Sequence, residues 1–184
     1  VWTTIGLERQ LNPKPQFTDR DAFIANTAKK LEYPPYFEQV EEWNLRGAPR
    51  LGTLPVPTPL SPQAFAEKAQ GAIVLDTRSE LSFGTAHVPG ALSIPLGRLP
   101  RFAGWFLPQD RPILLVNETD DPTEATRYLI RLGYDDVVGC LSGGMWAWHT
   151  AGRESSSIRM ITVQELCRHL DAHEARSHVI ADRW

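Results

Sequence analysis

Ile113-Leu114-Leu115-Val116-Asn117-Glu118-Thr119-Asp120-Asp121-Pro122-Thr123-Glu124 is the stretch whose reading decides the fold. Four consecutive apolar residues make a strand buried on both faces, and a proline after a short polar loop opens a helix. Strand, loop and helix in that order are the unit of a parallel sheet, and such sheets carry their sites at the carboxyl ends of the strands. Loop 117–121 is such a place. It holds Glu118, Asp120 and Asp121, and it contains no cysteine.

The same alternation continues on both sides. Upstream, Ser61 caps a helix over 62–69 with proline at its first position, and Gly71 follows its end. Ala72-Ile73-Val74-Leu75 is a second buried strand, Ser79-Glu80-Leu81-Ser82-Phe83 a helical turn, and Ala91-Leu92-Ser93-Ile94 another strand. Downstream come a helix over 122–132, a strand over 136–140 and a helix over 143–150. This order predicts an α/β fold of three layers, a mainly parallel sheet with helices on both faces.

Ahead of it lies a helical, proline-rich extension. Thr18 is placed to cap a helix with Asp21 at its third position, carrying the apolar stripe Ala22, Phe23, Ala25, Ala28 and Leu31. Tyr33-Pro34-Pro35-Tyr36-Phe37 breaks it, and a second short helix follows over 36–44. The stretch 47–62, with five prolines and two glycines, has linker composition. Beyond the sheet, Ile161-Thr162-Val163-Gln164-Glu165-Leu166 parallels Leu60-Ser61-Pro62-Gln63-Ala64-Phe65, and Val179-Ile180-Ala181-Asp182 parallels Ile73-Val74-Leu75-Asp76. The organisation expected is an extension over 1–59, one α/β domain over 60–152, and a linker with the cut start of a second repeat over 153–184. Both ends read as cut.

Bulk composition excludes several classes. The chain has 184 residues, 42% of them hydrophobic, enough for one core with appendages. A net charge of -3 and no basic cluster longer than Lys29-Lys30 argue against a nucleic-acid partner. No apolar run approaches the roughly 20 residues that span a bilayer. Two cysteines, Cys140 and Cys167, make no disulfide framework and fit a cytoplasmic location.

Several spaced elements together resemble the rhodanese family: Val74-Leu75-Asp76-Thr77-Arg78, then Ala86-His87-Val88-Pro89-Gly90-Ala91, the strand-loop-helix at 113–124, Gly133-Tyr134, and Ser142-Gly143-Gly144-Met145-Trp146-Ala147-Trp148. The resemblance spans about 60–152. It implies a nucleophilic cysteine at the start of the loop after the strand at 113–116, activated by a ring of backbone N–H groups and a helix dipole. Counted from the strand, that position is Asn117; counted back from Gly133, it is Val116. The loop is also about one residue short, with carboxylates where active rhodaneses favour glycine and arginine.

Each motif residue also has a structural reading. Asp76 and Arg78, at the end of a buried strand, hydrogen-bond loop backbone or pair in charge. His87 fixes a tight turn, Gly143 and Gly144 allow close packing at a helix start, and Trp148 is a core side chain. Asp121-Pro122-Thr123-Glu124 reads as an N-cap aspartate, proline at the first helical position and glutamate at the third, so the helix start is filled from within. Loop residues Asn117, Glu118, Thr119, Asp120 and Asp121 thus form a degenerate site with no catalytic residue. Cys140, ending a buried strand, behaves as a small hydrophobe. Cys167, His169 and His173, with Asp171 and Glu174 near and His178 beyond, lie on a solvated helix face rather than at a metal site.

The pieces Thr4-Ile5-Gly6-Leu7-Glu8-Arg9, Asn12-Pro13, Pro34-Pro35-Tyr36-Phe37 and Asn44, ahead of a rhodanese-like domain, resemble the tail of a metallo-β-lactamase-fold hydrolase in fusions related to persulfide dioxygenases. That resemblance implies a parent with iron or zinc in its upstream domain and tandem rhodanese repeats, acting in sulfide or persulfide metabolism. No cofactor is expected in this chain. Its partners would be the upstream domain and the second repeat, and it could form a homo-oligomer. Three functions are open: a non-catalytic scaffold or partner-binding module, a sulfurtransferase using Cys140, and a small-anion regulatory module.

Overall fold

The computed structural model describes residues 2–13, 16–28 and 33–171. Leu31, the Lys29-Lys30 pair, His173, Glu174, His178 and the repeat pattern at 179–182 lie outside the described residues. The chain divides into two compact units, Val1–Pro34 and Pro35–Trp184. That division falls well upstream of the 59/60 boundary expected from linker composition.

The first unit contains α1 (Ile5–Leu11) and α2 (Arg20–Thr27). The hydroxyl of Thr4 accepts the Leu7 N–H and starts α1, a helix that the sequence pattern did not reveal. Asp19 caps α2, accepting the Ala22 N–H at 2.7 Å. The cap expected at Thr18 is therefore one residue later, because a carboxylate is the stronger acceptor for an orphan N–H. Neither helix buries a residue.

The second unit opens with α3 (Tyr36–Arg46), followed by β1 (Thr58–Leu60), α4 (Pro62–Ala69), β2 (Ile73–Asp76), α5 (Glu80–Thr85), β3 (Leu92–Ser93), α6 (Leu99–Phe106), β4 (Ile113–Val116), α7 (Thr123–Arg131), β5 (Val137–Leu141), α8 (Gly144–Thr150) and α9 (Val163–Asp171). Five strands pair in the order β1-β5-β4-β2-β3, every pair parallel. In this unit two elements escaped the sequence reading. β1 lies inside the proline-rich stretch 47–62; Pro59 is tolerated because an edge strand need donate to only one side. Its Leu60 is buried over Gly139, where a Cβ would come within 2.6 Å of the Leu60 Cδ1. Helix α6 follows a single 3-10 turn at Leu96–Arg98, and Pro100 and Gly104 within it mask the helical signal.

Alternation along β4 builds the two faces of the core. Ile113 and Leu115 join Leu75, Leu99, Ala103 and Leu129 on one side of the sheet; Leu114 and Val116 join Phe65, Val74, Met145 and Trp148 on the other. All four β4 side chains are completely buried, as a central parallel strand requires. The three-layer expectation holds: α6 and α7 contribute to one face, α4 and α8 to the other. No helix among the described residues is long and apolar enough to cross a membrane.

Candidate functional site

The carboxyl ends of β2 and β4 meet loops that enclose a cleft of about 440 Å³. Residues 77–80 form one wall, Pro95 and Leu96 a second, and Asn117, Glu118, Thr119, Asp121 and Ala125 the third. The cleft thus stands where sheet topology places a site.

The β2 wall is held from beneath. Asp76 is completely buried, and its carboxylate accepts from the Arg78 side chain at Nε (2.9 and 3.1 Å) and Nη2 (2.7 Å), and from the Arg78 backbone N–H at 3.0 Å. Arg78 Nη2 also donates to the Ala86 carbonyl at 2.7 Å. A buried charge pair is tolerable only when its hydrogen bonds are satisfied internally, and this one meets that condition while fixing the turn from β2 into α5. Its guanidinium is engaged inward with Asp76 and Ala86.

His87 makes its polar contacts with α5 and residue 156. Its Nδ1 lies 2.8 Å from the Phe83 carbonyl, which can only accept, so Nδ1 carries the proton. The ring stacks on Phe83 with centroids 3.9 Å apart, and the backbone exchanges two bonds of 2.9 Å with Ser156.

Loop 117–121 supplies the central observation. At the position expected for a nucleophile, Asn117 presents Oδ1 to the Thr77 hydroxyl at 2.7 Å; the other candidate, Val116, is a completely buried strand residue. Glu118 accepts from the Ser79 backbone N–H at 3.3 Å and the Ser82 hydroxyl at 3.2 Å. Asp120 accepts from the Gly143 N–H at 3.0 Å, and Asp121 from the Thr123 N–H at 2.9 Å. Three carboxylates therefore occupy three backbone N–H donors around the cleft, the kind of group that would otherwise face an incoming anion. Hydrogen bonds from Thr123, its hydroxyl first and its backbone N–H second, hold the Asp121 carboxyl below the usual aspartate range.

The capping pattern differs in detail from that expected. Pro122 itself occupies the cap position of α7, with no side-chain cap bond, and Asp121 closes a turn two residues ahead. Glu124 does not reach back to the cap; its carboxylate accepts from the Tyr128 hydroxyl at 2.9 Å, one helical turn on. A proline with no N–H to offer removes the target that a capping box needs.

Gly143 and Gly144 turn β5 into α8 with φ of 70° and 55°, a conformation that side chains strain to adopt. A Cβ on Gly143 would also meet the Ala147 Cβ at 2.9 Å. This turn presents the N–H that Asp120 takes. Trp148 is buried edge-on against Phe65, its indole donating to the Glu154 carbonyl at 2.8 Å.

The Cys140 thiol is not prepared for attack. Cys140 is buried in β5, and burial, reinforced by the Asp120 carboxylate, pushes its thiol up, away from the thiolate. Cys167 is exposed on α9, where Arg159, Glu165, Arg168 and His169 line a second, separate hollow. Among the described residues no group of three or more His, Cys, Asp or Glu side chains is placed to hold a metal ion.

Sequence reasoning missed Thr77, Ser79 and Ser82 as partners of the loop. The contact of Glu118 with Ser79 joins residues 39 apart, and no local pattern signals it. The position of Ser79 just before Glu80 did announce a helix start, and Ser79 caps α5 by accepting the Ser82 N–H.

The rhodanese-like domain family model matches residues 61–151. The chain is 34% identical over 85 residues to the thiosulfate sulfurtransferase GlpE of Shewanella oneidensis, covering 46% of this chain and 82% of that protein. Among solved structures it is similar in fold to a metallo-β-lactamase from Staphylococcus aureus, with a TM-score of 0.60 and 24% identity over 76% of this chain; it spans only 40% of that longer protein. It is also similar to a rhodanese-like domain from Anabaena sp., with a TM-score of 0.49 and 21% identity over 70% of this chain and 90% of that one.

Proposed function

The chain belongs to the rhodanese-like family, and we propose on that premise that its domain does not transfer sulfur but serves as a stable scaffold or partner-binding module. Sulfur transfer needs a thiolate that accepts sulfane sulfur to form a persulfide, with neighbouring N–H groups to stabilise the anion. Here Asn117 stands at the nucleophile's position, and its side-chain oxygen accepts a hydrogen bond from the Thr77 hydroxyl. The observation that carries the reading is the loop of three carboxylates engaged with the N–H groups of Ser79, Gly143 and Thr123. An approaching thiosulfate or persulfide anion would meet like charge, with these donors already taken.

The wider setting is also part of the proposal. Likeness in fold to the longer Staphylococcus aureus protein supports a parent in which a metallo-β-lactamase-like domain precedes this one, in sulfide or persulfide metabolism. Iron or zinc would belong to that upstream domain, and no step in this chain depends on it. The upstream domain and a second repeat are the partners proposed, in the cytoplasm.

Sulfur transfer through Cys140 and regulation by a bound anion are the competing functions. Burial of Cys140 disfavours the first, and the engaged donors disfavour the second. Thiosulfate:cyanide turnover by the full chain and its Cys140→Ser variant tests the first. The scaffold reading expects no turnover above the uncatalysed rate in either; turnover lost on replacing Cys140 would establish the cysteine route.

A further inference from the structure

We infer that the face made by α6 and the end of α7 is a helix-docking surface, shaped by Gly104 and Gly133 to receive an amphipathic helix with aromatic residues seven apart, and that α3 is its occupant. The observations lie within the second unit and do not depend on the fate of the nucleophile.

Tyr36 lies against Gly104 so closely that any Cβ there would overlap its ring. At Gly133, with φ of 87°, a Cβ would come within 2.8 Å of Gln39 Oε1 and 3.1 Å of Trp43 Cη2. Two glycines, one within α6 and one just past the end of α7, thus leave hollows for one side of α3. Tyr36, Gln39, Val40 and Trp43 follow the spacing i, i+3, i+4, i+7 that places residues on a single helical face, and all four are half-buried. Glu38, Glu41, Glu42 and Arg46 are exposed, and Glu42 pairs with Arg46 at 2.5 Å. The ring of Tyr36 packs against the core cluster that includes Ala103, Leu129 and Tyr134.

Helix α3 lies outside the segment recognised as rhodanese-like, which begins at residue 61, whereas Gly104 and Gly133 lie within it. Helix α3 is separated from it by the connector 47–57, without helix or strand, yet it shares the compact unit that starts at Pro35. The surface is selective in shape rather than in charge: glycine hollows admit rings where any larger residue would hold the helix off. Gln39 Oε1 is buried with no hydrogen-bond partner, so no polar bond from that atom anchors the contact. Ring packing accounts for it.

A protease site inserted into the connector at 48–57 of the full chain tests the inference. After cleavage, the fragment carrying α3 should co-elute with the remainder on size exclusion, and separation of the two would overturn the proposal. Y36A combined with W43A should release the fragment on cleavage; continued co-elution would also overturn it. G104A should release it from the other side. Should G104A fail to fold, amide exchange of α3 in the uncut Y36A/W43A chain reads the same contact: exchange at least tenfold faster than in the parent chain is expected, and unchanged protection contradicts the inference.

Discussion

Asp120 Oδ1 accepts the backbone N–H of Gly143 at 3.0 Å, joining the loop after β4 to the turn that begins α8. These residues are 23 apart, and their contact engages a backbone N–H at the start of α8. Replacing Asp120 with alanine should remove one hydrogen bond, worth about 1 kcal/mol, and lower Tm by roughly 2–4 °C. Thermal unfolding followed by circular dichroism checks it.

A thiol alone should not restore chemistry. Asn117→Cys should show no thiosulfate:cyanide activity, because Glu118, Asp120 and Asp121 still hold the N–H donors. The same substitution combined with glycine at 118, 120 and 121 should form a persulfide detectable by mass spectrometry. Activity in the single variant would show that the carboxylates do not obstruct the site.

The native thiols should differ in reactivity. Cys167 is exposed, whereas Cys140 is buried and its thiol pushed up by that burial and then by Asp120. In the folded protein near pH 8, Cys140 should react with a thiol reagent at least ~10-fold more slowly than Cys167. Denaturant should erase the difference.

Alkali should destabilise the fold through Tyr134. Burial first, and Tyr36 second, raise its phenol from 10.0 to about 12. Since the folded state keeps a proton that the unfolded chain releases, the contribution of Tyr134 is fully present below pH 10 and is lost as pH rises towards 12. Denaturation midpoints should decline across that window, and the decline should be shallower in Tyr134→Phe. That variant also loses the bond of 2.7 Å that the hydroxyl donates to the Leu107 carbonyl.

Removing one member of the Asp76–Arg78 pair should cost about 3–5 kcal/mol, by leaving its partner charged, buried and alone. Arg78→Met and Asp76→Leu together should cost less than the sum of the single changes. Urea titrations of the four proteins supply the cycle.

The sheet was legible because its strands are short apolar runs bounded by turn residues, as at 73–76 and 113–116, and because Ser61 and Ser79 mark helix starts. What stayed hidden depends on contacts distant in sequence. β1 reads as linker until Leu60 is seen over Gly139, and the glycine that interrupts α6 makes sense only beneath Tyr36. For the site, the absence of cysteine and the presence of carboxylates were plain in the sequence. Which donors those carboxylates take was not, since Ser79 and Gly143 arrive from other strands, and only the Thr123 bond is local.

The central claim is that the loop after β4 accepts no sulfur. Intact-mass measurement of the full chain after incubation with thiosulfate, before and after treatment with cyanide, tests it most directly. An unchanged mass throughout is the result the carboxylate-filled loop requires. A gain of one sulfur atom that cyanide removes would contradict it.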